Sequence, residues 1–210
     1  MILLKNSEIG QVWLEYIQSV LSNGEWVFDN REEIFETTSI CFTISEFDDV
    51  NGILSRHSQK KIIELYTRKM FSTEIIEELN STYGDRFFNN IGVNQFELAV
   101  KKLKENKYAK SVFIPLVVPN DPGPRIPCLS AVQVAIRHGE LVMFATFRSQ
   151  NVFNSYGNFL GLKELSVRFA TELNVASGPI NFFVNFPHIY RSDVPRCQGI
   201  ISAETTGDKT

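Results

Sequence analysis

The sequence predicts an α+β fold, a large mixed β-sheet with helices packed on one face, because strand-like and helix-like segments are interspersed without the strict alternation of a βαβ array. Two features of composition agree. A chain of 210 residues with 43% hydrophobic content can bury a substantial core. Its 17 Phe supply the rigid apolar surface that a packed sheet or a subunit interface uses. Residues 1–210 read as a single domain, with no internal repeat and no low-complexity stretch.

The elements follow in order. Trp13, Ile17, Val20 and Leu21 recur at helical spacing, and Asn23-Gly24 stops that helix. A charged loop over Phe28–Glu33 leads to a strand at Thr38–Ser45, where Ile40, Phe42 and Ile44 alternate. Asp48–Gly52 breaks the chain. Helices are then expected over Gln59–Phe71 and Thr73–Leu79, and another around Phe96, Val100 and Leu103. Ser111–Val118 is an apolar run of strand length, closed by the Pro-rich loop 119–124. Residues 129–147 read as a hairpin turning at His138-Gly139, Gly157–Leu173 as a helix and Pro179–Phe186 as a strand. The polar residues 202–210 read as a flexible tail.

Composition excludes several classes of function. No run of eighteen apolar residues exists and the first ten residues lack the apolar core of a secretory signal, so a cytoplasmic protein without a membrane partner is expected. Three cysteines at irregular spacing with no CxxC pair suggest neither a disulfide framework nor a metal site. A net charge of −3 lacks the basic excess of a protein that coats a nucleic acid polymer.

Three segments carry candidate chemistry. Cys128 stands where the Pro-rich loop enters a strand, and a neighbouring arginine would favour its thiolate; a buried packing cysteine is the alternative. Phe147–Asn158 is dense in polar side chains, in which Arg148 and Ser149 can hold a phosphate and Asn158 can read one edge of a base. Such a stretch is also what an ordinary turn contains. His188 and Tyr190, two apart, share one side of an extended segment and can hold a sugar hydroxyl.

In this order the three segments resemble the thymidylate synthases and related pyrimidine hydroxymethylases. Pro127-Cys128 is similar to the family's nucleophile pair, Phe147-Arg148-Ser149-Gln150-Asn151-Val152-Phe153 to its Gln-Arg-Ser-x-Asp-Val-Phe with Phe147 in place of the Gln, and His188-Ile189-Tyr190 to its His-Leu/Ile-Tyr. The match is strong over residues 110–190 and weak over the first hundred. It implies a thymidylate synthase-like fold whose sheet face is buried in a homodimer, with a pyrimidine nucleoside monophosphate as substrate and 5,10-methylenetetrahydrofolate as cofactor. Cys128 would add to C6 of the base, and the C5 carbanion or enolate so formed would capture the one-carbon unit. Arg148 and Ser149 would bind the phosphate, Asn158 the O4/N3 edge, and His188 with Tyr190 the sugar. Arg31 and Lys110 would be further phosphate ligands, and Glu64 would stand for the family's water-organising glutamate.

The departures from the family concentrate on the folate side. Asn151 replaces an Asp that contacts the pterin, Asn154–Gly157 replaces a longer apolar segment, and the chain ends in polar residues. The implied activity is methylation of dUMP, with two alternatives: a hydroxymethylase acting on dUMP, dCMP or CMP, and a nucleotide-binding homodimer that has lost catalysis.

Overall fold

A computed structural model describes residues 1–29, 32–74, 76, 82–118 and 126–207. The expected α+β architecture is present: among the described residues, eight strands form one mixed sheet and seven α-helices accompany it. Helix α1 (Ile9–Asn23) begins where the Glu8 carboxylate accepts from the backbone N–H groups of Gly10 and Gln11. Its buried stripe of Ile9, Val12, Trp13, Tyr16, Ile17 and Val20 lies in the core.

The main sheet runs β1 (Ile2–Leu3), β4 (Ile40–Ile44), β8 (Ala176–Tyr190), β7 (Glu140–Asn151), β6 (Leu129–Arg137), β5 (Phe113–Pro115). Strands β6 and β7 form the expected hairpin, turning at His138 and Gly139, both at positive φ. Strands β7 and β8 are parallel and are joined through α6 (Ser155–Leu173). One face of the central strands is buried through Phe42, Met143, Phe147, Phe182 and Val184, with Phe42 stacked on Phe182 at 4.7 Å and Phe159 of α6 edge-on to both. On the other strand positions Phe113, Phe144 and Phe183 remain 58%, 44% and 38% exposed.

Several expectations are corrected. The stretch read as a loop over Phe28–Glu33 belongs mostly to a hairpin, β2 (Glu25–Asp29) with β3 (Glu32–Glu36). Ile34 is the only buried one of its described residues, so alternation was too faint to signal strands; pairing of β3 with the end of β8 holds it. The helix expected over Thr73–Leu79 is absent at Thr73, Glu74 and Ile76, its described members, because α3 (Lys60–Phe71) stops at Ser72, whose hydroxyl accepts from the Glu74 N–H. The apolar run Ser111–Val118 is strand only at Phe113–Pro115. Strands β7 and β8 run on to Asn151 and Tyr190, beyond the expected Phe147 and Phe186. Residues 202–207 are not a loose tail but the end of helix α7 (Val194–Gly207), tied down where the Glu204 carboxylate accepts from Arg56 at 2.6 Å and pairs with His57 at 2.7 Å.

The remaining helices are α2 (Ile53–His57), α4 (Gly84–Phe88) and α5 (Gln95–Glu105), the last capped by Asn94. Helix α3 packs across α6 at two glycines one turn apart. A Cβ on Gly157 would lie 2.8 Å from Cγ of Tyr66, and one on Gly161 would lie 3.4 Å from Met70. The missing side chains let α3 approach α6 closely. No described helix is long and apolar enough to cross a membrane.

Candidate active site

Register assembles the candidate site at one end of the central strands. Leu129 of β6 pairs with Phe147 of β7, which sets Cys128 opposite Arg148, and the Arg148 N–H donates to the Cys128 carbonyl at 2.9 Å. Ser149, Gln150 and Asn151 of β7 pair with Phe186, Pro187 and His188 of β8, and Tyr190 pairs onward with Ile34 of β3. The carboxyl ends of two parallel strands thus meet the entrance of a third, a common ligand position in sheets with parallel strands.

The thiol of Cys128 is half-buried and sits between two donors, Ser149 Oγ at 3.7 Å and Arg148 Nη2 at 3.9 Å. The same guanidinium donates from Nε to the Pro127 carbonyl at 3.2 Å and from Nη2 to the Ile126 carbonyl at 2.9 Å. Arg148 therefore fixes the turn that presents the sulfur while placing a positive charge beside it. Cys197, by contrast, is fully buried, and burial pushes its thiol up to about 12.

Helix α3 contributes residues that pattern reading missed. Lys69 is only 8% exposed, and its ammonium lies 4.3 Å from the ring centre of Tyr83 and 5.7 Å from that of Tyr66. Burial pushes the Lys69 amine below its ordinary 10.5; the Cys128 thiolate opposes this, and the Arg148 cation reinforces it. Tyr66 is pushed up to about 12 by burial and then by the negative charge of Cys128, and Tyr83 is raised by the same two causes. The signal was present in the sequence: Ile62, Tyr66, Lys69 and Met70 fall on one helical stripe, so a lysine occupies an apolar phase.

The sequence-predicted residues divide. His188 and Tyr190 do share a side, their rings edge-to-face at 5.3 Å. His188 is 9% exposed; burial lowers its ring below the ordinary 6.5, against its hydrogen bond to the Phe186 carbonyl at 3.2 Å. Asn158 is buried in the first turn of α6, next to the Gly157 on which Tyr66 packs, and its Oδ1 has no partner among the described residues. Asn151 spends its Oδ1 on the Phe153 N–H at 3.1 Å, which shapes the exit from β7. Glu64 is not brought to the site: its side chain is 62% exposed and pairs with Lys60 at 3.7 Å on the outer face of α3. Lys110 is exposed and lies beside Gln133, whose amide donates to the Lys110 carbonyl at 2.7 Å. That is five residues along β6 from Cys128, roughly 17 Å at the rise of a strand. Arg31 and Arg125 lie outside the described residues.

No protein-family model matches the chain. Curated proteins do. The chain is 24% identical to a protein of Methanothermobacter marburgensis named "Putative thymidylate synthase", over 92% of this chain and 95% of that protein. Proteins of the same name from Methanosarcina mazei and Methanocaldococcus jannaschii are 24% and 26% identical over 95% and 90% of this chain. The similarity to thymidylate synthase-like proteins, marked in residues 110–190 by the motifs around Cys128, Arg148 and His188, therefore extends over nearly the whole chain.

Proposed function

We infer that the protein is a C5 one-carbon transferase acting on a pyrimidine nucleoside monophosphate, by a thymidylate synthase-type methylation of dUMP. The observation that carries this reading is the convergence of the Arg148 guanidinium and the Ser149 hydroxyl within 4 Å of the Cys128 sulfur. A cation and a hydroxyl there suit a phosphate ester, and a thiolate held beside them suits addition to an electron-poor double bond. The Cys128 sulfur forms a bond to C6 of the base, and the C5–C6 electron pair moves toward C5 and the O4 carbonyl. Asn158 serves the O4/N3 edge, for which its unpartnered buried Oδ1 offers an acceptor to the N3 proton. His188 and Tyr190 hold the sugar hydroxyl.

A cleft of about 310 Å³ opens beside Phe153, lined also by Arg56, His57 and Arg196, and the Arg196 guanidinium lies 4.7 Å over the Phe153 ring. Aromatic and cationic walls together fit a ligand with a flat ring and carboxylates, as 5,10-methylenetetrahydrofolate has. When bound, that group supplies the one-carbon unit. The amide of Asn151, in place of a carboxylate, favours a second reading in which water completes a hydroxymethyl product on dUMP, dCMP or CMP. The exposed Phe113, Phe144 and Phe183 give the sheet an apolar face suited to a second copy of the chain, whose Lys110 could then reach the phosphate. Light scattering should return twice the mass of one chain.

The test is release of tritium from C5 of dUMP, dCMP, UMP and CMP in the presence of methylenetetrahydrofolate, with the product weighed. Release from dUMP with a methyl product is expected. A hydroxymethyl product selects the second reading. Folded protein that binds a nucleotide and releases no tritium is a nucleotide-binding protein and not an enzyme of this kind.

A further inference from the structure

The ammonium of Lys69, a buried residue, has no carboxylate, carbonyl or hydroxyl bonded to it among the described residues and lies against the faces of Tyr83 and Tyr66. A buried ammonium ordinarily finds an acceptor, because losing its water without replacement is costly. Aromatic faces offset part of that loss. The rest is left for a ligand. Position says which part of a ligand it would meet. Lys69 follows Tyr66 by three residues on the inner face of α3, and the Tyr66 ring is seated on Gly157, the residue before Asn158. Lys69 is also near enough to feel the charges of Cys128 and Arg148. It thus stands on the thiol and base-reading side of the site.

We propose that Lys69 is a catalytic residue whose ammonium hydrogen-bonds the pyrimidine O4 as negative charge develops there, a role that rests on the one-carbon transfer inferred above. When the Cys128 sulfur bonds to C6, the C5–C6 π pair is displaced and the C4 carbonyl takes on enolate character. The ammonium keeps its proton in this step and lowers the energy of the oxyanion by a charge-assisted hydrogen bond. In the later loss of the C5 proton the same oxygen carries the charge again. The carboxylate expected on this helix, Glu64, faces solvent. The inward charged group on α3 is a cation, so charge stabilisation here comes from a donor held against two aromatic rings.

The experiment compares the full-length protein with Lys69→Met, which keeps the length of the stem and removes the charge. Three readouts are taken: nucleotide affinity by calorimetry, tritium release from C5 at saturating nucleotide, and the melting temperature without ligand. Nucleotide affinity is expected to stay within about threefold, since the phosphate contacts remain, while tritium release falls by about a hundredfold or more, the scale of one oxyanion donor. The melting temperature is expected to rise by at least about 2 °C, because an unpaired buried charge has been removed. A variant that releases tritium at the wild-type rate overturns the proposal, as does one that melts lower, which would make Lys69 a structural partner of the tyrosines. Wild-type protein that binds nucleotide but releases no tritium overturns the one-carbon transfer itself, and the role of Lys69 with it.

Discussion

Residues delivered to the site by strands and residues delivered by helix α3 differ in how their positions are set. Cys128 stands at the entrance of β6, and Arg148, Ser149, His188 and Tyr190 lie on the neighbouring strands, whose pairing fixes them relative to one another. Once Leu129 pairs with Phe147, the thiol must lie beside the arginine. A helix imposes no such constraint, since each residue turns the side chain by about 100° and a small error in phase exchanges inside for outside. Five positions separate Glu64 from Lys69, about 140° around α3. That rotation puts the carboxylate in water and the ammonium under Tyr83. Neighbours brought together by strands can thus be inferred from order and spacing, whereas those on a helix need the packing partner, here the glycines of α6.

The largest expected effect breaks the strand side of this comparison. Cys128→Ser should lower tritium release from C5 by at least about a thousandfold with little change in the melting curve, because the nucleophile is lost and its shape kept. Arg148→Lys should weaken nucleotide binding by about 10- to 100-fold, measured by calorimetry, since a lysine cannot hold the Ile126 and Pro127 carbonyls and a phosphate at once. The helix side is broken by Gly157→Ala. Its new Cβ would press on Tyr66, and urea unfolding should show a loss of about 1–3 kcal/mol, accompanied by slower turnover.

A pH experiment sharpens the comparison. The His188 ring is held below its ordinary 6.5, chiefly by burial. Below that pH the unfolded chain binds a proton that the native state refuses, so stability should fall as pH drops from about 6.5 through the folded-state value. His188→Asn should flatten that part of the curve in urea titrations. The smallest effect is expected at Glu64→Gln. Its exposed pair with Lys60 contributes no more than about 0.5 kcal/mol, and tritium release should stay near the wild-type rate.

Much of the fold was legible because its segments are locally consistent. The helix starting at Ile9, the hairpin turning at His138-Gly139 and the long helix after Asn154 each combine periodicity with a stop or turn signal. What escaped depends on distant partners. The β2–β3 hairpin has almost no buried residue and is held by β8. The end of α7 is polar and is retained because Glu204 meets Arg56 and His57. At the site, the thiol, the guanidinium and the His-Tyr pair could be named from sequence. The buried Lys69 was missed because surface lysines are the rule, although its place in the apolar phase of α3 marks it as internal.

The most direct measurement is the intact mass of the protein after incubation with 5-fluoro-2′-deoxyuridine 5′-monophosphate and methylenetetrahydrofolate, followed by peptide mapping. A covalent adduct on the peptide that carries Cys128 is the expected result, absent in Cys128→Ser. Saturable binding of the nucleotide with no gain in mass would contradict nucleophilic catalysis by this sulfur.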